Sequence, residues 1–177
     1  MKTSAKLNLG CGKNILPGWV NMDWHPRLKP DVVHDLNQFP YPFPDQAFEE
    51  ILCQEVLEHL DDVVRVMEEL HRLLKPGGKL KIIVPHYSCS NAYTDPTHKH
   101  FFGMRSMDYF TGQGPWDFYT GCRFRAARTH LKFLGRYKNW FWEKLANRFP
   151  SFYEEHLAWI APAWFITFEL EAVKEKV

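Results

Sequence analysis

Val63, Val64, Met67, Leu70 and Leu74 recur at i, i+1, i+4, i+7 and i+11, and this spacing constrains the chain more than any other feature. It places one apolar stripe along a helix. Asp61 or Asp62 can cap the start, and Lys75-Pro76-Gly77-Gly78 stops it. An apolar run over 80–84 follows at once and reads as a buried strand, and 48–53 reads as the strand before the helix. Strand, helix, strand in that order is a βαβ unit, which implies a parallel sheet.

Other segments extend the sheet. Residues 6–9, 19–22 and 31–34 are short apolar runs bounded by Gly and Pro, each read as a strand. Late in the chain, 124–133 and 164–173 read as two more. In the second, Ile166, Phe168, Leu170 and Ala172 alternate with Thr167, Glu169, Glu171 and Val173. Residues 86–103 read as an extended loop, and 137–159 as a helical insertion broken by Pro150. The expected fold is α/β with an antiparallel pair at its end.

With 177 residues, 45% hydrophobic and 24% charged, the chain is expected to form one globular domain over 1–177 and is neither fibrous nor disordered. A formal net charge of +1 gives no whole-molecule attraction to nucleic acid or acidic membranes. Charge is nonetheless segregated. Residues 31–70 carry eleven acids against one base, whereas 122–148 carry eight bases against one acid, interleaved with aromatic rings. Cysteines at 11, 53, 89 and 122 form no CxxC, which suits reduced thiols better than a disulfide framework or zinc ribbon. No signal-peptide pattern opens the sequence, and the longest apolar run, 157–168, falls short of the roughly 20 residues needed to cross a bilayer. A cytoplasmic protein is expected.

The first chemical signal is Leu7-Asn8-Leu9-Gly10-Cys11-Gly12, a glycine turn leaving the first strand. Such glycines let the backbone bend and approach a ligand beyond the carboxyl ends of the strands, although a tight strand exit looks the same. Asp23 ends the second strand, where a carboxylate can accept both hydroxyls of a ribose. Asp35 holds the same place after the third, where it can accept from an exocyclic amine or simply cap the turn at Asn37. Only eleven residues separate Gly12 from Asp23, against about 20 in a dinucleotide fold, and a third glycine is missing. A pyrophosphate site for NAD or FAD is therefore disfavoured.

Taken in order, LNLGCG, NMD, HDL, EEILCQEVLEHL and LHRLLKPGGKLKIIVP resemble a class I S-adenosylmethionine-dependent methyltransferase of the type-11 group, over about residues 5–87. That resemblance implies a Rossmann-like seven-stranded sheet, mostly parallel with an antiparallel last strand, and S-adenosylmethionine as cofactor. It implies that Gly10, Cys11 and Gly12 face the methionine part, that Asp23 holds the ribose hydroxyls and that Asp35 and the Leu36 backbone contact adenine. Gln54 would line the sulfonium. The chain departs from the family pattern in three ways. Asn8 replaces a common acid, the helix after the glycine turn is expected to be nearly absent, and the family's N-terminal helices are expected to be missing, with about six residues before the first strand. The pocket cover is then expected from 137–159 or from a second subunit, as in a homodimer.

The acceptor is expected in the half of the chain from residue 88 onward. Histidine titrates near neutral pH and suits a general base, so His86 at the end of the fifth strand is the first candidate, with His98 and His100 next. Asp95, His98 and His100 carry metal-ligand chemistry at D-x-x-H-x-H spacing, but the pattern is too sparse to assign a metal. A small-molecule acceptor is expected, the basic aromatic segment favouring an anionic one. Alternatives are a cofactor-binding subunit without its own activity, an RNA methyltransferase and a nucleoside-binding oxidoreductase.

Overall fold

In the computed structural model, residues 4–115, 117–135 and 140–174 are described. The strands are β1 (Lys6–Leu9), β2 (Val20–Asp23), β3 (Val32–Val33), β4 (Phe48–Gln54), β5 (Leu74–Pro85), β6 (Phe124–Lys132) and β7 (Phe165–Ala172). Helices are α1 (Val63–Leu73), the single turns α2 (Asn91–Thr94) and α3 (Asp108–Thr111), α4 (Trp140–Arg148) and the turn α5 (Pro150–Phe152). One seven-stranded sheet runs β3-β2-β1-β4-β5-β7-β6. All neighbours are parallel except β7, which is antiparallel to both β5 and β6. This is the expected Rossmann-like arrangement.

Asp62 caps α1, its side chain accepting from the Arg65 amide at 2.9 Å. Eleven residues are too few for a stable isolated helix, so tertiary packing must hold it. Val66, Met67, Leu70 and Leu73 are fully buried against the sheet. At about 1.5–3 kcal/mol each, their burial far exceeds the helix's own marginal deficit. The helix ends at Leu73, just ahead of Lys75, and the chain passes directly into β5. Between Leu74, opposite Phe48, and Lys79, opposite Glu50, the Pro-Gly-Gly segment bulges out of the ladder.

Alternation gives the sheet two unlike faces. Leu7, Leu9, Val20, Met22, Ile51, Cys53, Leu80, Ile82, Ile166 and Phe168 form the core face, all within 4% of complete burial. On the other face register brings Lys6, Glu50, Lys79, Glu171 and Arg125 into one row across five strands, with Lys81, Glu169 and Arg128 forming a second. Signs alternate along both rows. Lys6 reaches Glu50 at 2.7 Å and Arg125 reaches Glu171 at 2.6 Å. Cross-strand pairs of this kind let a sheet face meet water without like-charge repulsion.

No helix joins β1 to β2. Residues 10–19 fold back in turns, held by side-chain amides where a helix would bring apolar contacts. Asn8, 2% exposed, donates from Nδ2 to the Asn14 carbonyl (2.8 Å) and to Asn21 Oδ1 (3.0 Å). Asn21 Oδ1 also accepts from the Leu16 amide (2.8 Å), and its Nδ2 donates to Asp31 Oδ2 (2.9 Å).

The insertion corrects an expectation. Its first residues, 137–139, lie outside the described ones. The remainder is helical and broken at Pro150 as expected, into α4 and α5, but it then continues as a π-helical turn at Tyr153–Leu157. α4 packs on the edge strand: Asn147 Oδ1 accepts from the Leu131 amide (2.7 Å), its Nδ2 donates to the Leu131 carbonyl (2.9 Å), and Ala146 is fully buried. It therefore lies four strand spacings, about 19 Å, from β1 and its glycine turn, and α4 is not a cover for it.

Candidate active site

Register aligns the carboxyl ends of the central strands. Leu9 is opposite Met22 on one side and Cys53 on the other, so Gly10, Asp23 and Gln54 leave their strands side by side. Strands stand about 4.8 Å apart, so these three span roughly 10 Å.

Each has a local cause. Gly10 has φ +60°, and a Cβ there would overlap Cγ2 of Val56 and stand 3.0 Å from Cγ1. Gly12 has φ +52°, yet a Cβ would meet nothing within 4 Å, so its outer side is open. Asp23 is 5% exposed; its Oδ2 accepts from the Gly12 amide at 2.9 Å and its Oδ1 from the His25 amide at 3.0 Å. The carboxylate thus ties the glycine turn to β2. Cys11 is buried, and desolvation with the nearby Asp23 charge pushes its thiol up to about 11, leaving it an inert filler.

The outer positions differ. Asp35 Oδ1 accepts from the Asn37 amide at 2.9 Å, so it caps its turn; its exposed carboxylate keeps further lone pairs. The Leu36 carbonyl accepts from the Tyr41 hydroxyl at 2.9 Å, and the Leu36 side chain joins the core. Gln54 is exposed and donates to Glu55 Oε1 at 3.2 Å. Beside Asp23, Trp24 presents an indole that is 64% exposed, a feature not singled out in the sequence.

His86 departs from the role expected of it. The ring is fully enclosed. Nδ1 accepts from the Ser88 amide (3.3 Å) and faces the Ser88 hydroxyl (2.8 Å), so Nε2–H donates to Glu154 Oε1 at 3.0 Å. The same oxygen accepts from the Met104 amide (2.7 Å), and the Tyr87 hydroxyl donates to the Glu154 carbonyl (3.0 Å). His86 is a pin joining the end of β5 to the π-helical turn, without a lone pair facing an acceptor.

Nor do Asp95, His98 and His100 converge. Asp95 Oδ1 accepts from Thr97, and His100 Nε2 donates to the Leu60 carbonyl at 2.9 Å. Among the described residues, His98 instead groups with Glu58 and His59. Burial pushes the Glu58 carboxyl up to about 7. Sequence reading missed this cluster because 39 residues separate its second and third members.

Strand order and the antiparallel β7 between β5 and β6 give the Rossmann-like sheet of the methyltransferase structures on which the chain superposes. More particularly, residues 7–82 match the sequence profile of the family described as Methyltransferase domain. An uncharacterised methyltransferase, YcgJ of Bacillus subtilis, is 33% identical over 68 residues, which are 38% of this chain and 26% of that protein. The demethylmenaquinone methyltransferase of Listeria welshimeri is 36% identical over 53 residues, 30% of this chain and 22% of its own length. The chain's match thus spans about a quarter of each relative. A methyltransferase structure from Archaeoglobus fulgidus superposes with a TM-score of 0.63 at 17% identity, covering 95% of this chain and 86% of that one. A complex of the Haloferax volcanii Trm112 methyltransferase activator with a methyltransferase gives 0.60 at 15%, covering 98% and 84%. Among the described residues no helix is long and apolar enough to cross a membrane.

Proposed function

We propose that the protein transfers a methyl group from S-adenosylmethionine to a small-molecule acceptor. The observation that carries this is the aligned row of Gly10, Asp23 and Gln54, with Gly12 open to a ligand and Asp23 holding the turn. Gly10, Cys11 and Gly12 take the methionine end through backbone, Asp23 accepts from the ribose hydroxyls through its remaining lone pairs, and Asp35 and the Leu36 segment flank the purine. Trp24 supplies a stacking face at that rim. Gln54 marks the sulfonium end.

The cofactor brings an activated methyl: the carbon–sulfur bond breaks with its electron pair staying on sulfur as the new carbon–nucleophile bond forms. The chain's task is to hold the nucleophile about 3–3.5 Å from that carbon, in line with sulfur, and to exclude water. An alcohol or ammonium acceptor must also lose a proton.

Titration calorimetry of ligand-stripped protein with S-adenosylmethionine, S-adenosylhomocysteine and NAD tests the assignment. Micromolar binding of the first two without the third is expected, and preference for NAD overturns it.

One observation favours a second reading, a subunit acting with a partner chain. Trp140, Phe149, Phe152, Trp159 and Ile160 are each more than half exposed within 21 residues. A methyltransferase of the same fold is known in complex with an activator. Cofactor binding without turnover until a second protein is added would distinguish it.

A further inference from the structure

We infer that Glu58, His59 and His98 form a binding site for a divalent first-row transition cation. Glu58 is 1% exposed, and neither carboxylate oxygen has a hydrogen-bond partner among the described residues. A buried carboxylate without a donor or counter-ion costs several kcal/mol, and such groups call for a missing partner. One oxygen of Glu58 and one nitrogen from each of His59 and His98 lie within 4.8 Å of one another.

Both rings are set for ligation by their other nitrogen. His98 Nδ1 donates to the Ala92 carbonyl at 2.9 Å, so its Nε2 carries the lone pair. His59 Nδ1 faces Thr97 Oγ1 at 2.8 Å; that hydroxyl donates onward to Asp95 Oδ1 at 2.6 Å, so it must accept from the ring. His59 Nε2 is thereby the basic nitrogen. Carboxylate or carbonyl partners behind the imidazoles are the usual support of a metal-bound histidine. Two imidazoles and a carboxylate suit zinc or ferrous iron and leave coordination positions open for an oxygen-donor ligand.

The backbone holds the frame. Amides of Lys99 and His100 donate to the Glu58 carbonyl at 2.7 and 3.3 Å, so the loop carrying His98 is tied to the turn carrying Glu58 and His59. Bond lengths of about 2.0–2.2 Å require the ligand atoms to close to roughly 3–3.5 Å. Side-chain rotation of the two half-buried rings supplies that movement. The site follows Gln54 by four residues, on the side of β4 where the acceptor is proposed to enter.

The test is binding of Co²⁺ and Zn²⁺ to metal-stripped protein, read by equilibrium dialysis and by the Co²⁺ visible spectrum, with no cofactor or activity needed. One equivalent is expected, with a ligand-field band. Glu58→Gln and His98→Ala should each weaken binding at least tenfold, whereas His156→Ala, on an exposed ring, should not. The Glu58→Gln variant preserves shape, and its folding is checked by circular dichroism. Substoichiometric binding to the wild type, or equal binding to both folded variants, overturns the site. Calorimetry with S-adenosylhomocysteine on the same samples keeps failure of the metal site distinct from failure of the methyltransferase reading.

Discussion

Gly10 sits where two independent penalties meet any side chain, and a double-mutant cycle can separate them. Its φ of +60° costs an L-residue about 1–2 kcal/mol. A Cβ would also overlap Cγ2 of Val56, which is 6% exposed and has nowhere to retreat, adding about 1–3 kcal/mol of overpacking. Gly10→Ala should therefore cost about 2–5 kcal/mol, leaving a fold of ordinary stability marginal yet measurable. Val56→Ala removes the steric partner at a cost of about 2 kcal/mol of its own. In that background Gly10→Ala should cost only the backbone part, so the two changes should couple favourably by about 1 kcal/mol or more. Urea unfolding of the four proteins reads this directly. Additivity to within about 0.5 kcal/mol would refute the contact. A cost below about 1 kcal/mol for Gly10→Ala alone would refute the backbone argument.

Other expectations concern neighbouring groups. Asp23→Ala removes the acceptor of the Gly12 and His25 amides; it should lower stability by about 2 kcal/mol or more and weaken S-adenosylhomocysteine at least tenfold by calorimetry. Trp24→Ala should leave the unfolding midpoint unchanged, because the ring is exposed, while costing about 1–3 kcal/mol of nucleoside affinity; equal affinities would remove the indole from the site. His86→Ala leaves the largely buried Glu154 Oε1 with the Met104 amide as its remaining donor and opens a cavity at the ring, so the melting temperature should fall while cofactor affinity stays within twofold. Asn8→Asp places a carboxylate against two acceptors, the Asn14 carbonyl and Asn21 Oδ1, and should destabilise by about 2 kcal/mol or more in thermal unfolding at neutral pH.

Much of the sheet was legible because alternation and helical spacing are local. β4, α1 and the central part of β5 lie within a residue or two of their expected bounds, as do β6 and β7. Asp62 caps α1 as its position suggests. What escaped reading depends on distant partners. Asn8 looked like a lost acid, but its amide is committed to Asn14 and Asn21, thirteen residues on in the latter case. His86 looked like a base because nothing in its neighbourhood of sequence announces Glu154, 68 residues later. The glycine turn and the Asp23 position were readable for the opposite reason: each is set by where its own strand ends.

The two rows of alternating charge also bear on how the protein responds to temperature. A sheet wetted on one side covers less apolar surface on folding than one packed on both faces. Less apolar area is then newly hydrated on unfolding, and that area is the main source of the heat-capacity increment. The increment should fall toward or below the lower end of the usual 12–15 cal/mol/K per residue, about 2.1 kcal/mol/K for the whole chain. Its stability curve would be correspondingly shallow, trading a tall maximum for a wide interval between cold and heat unfolding.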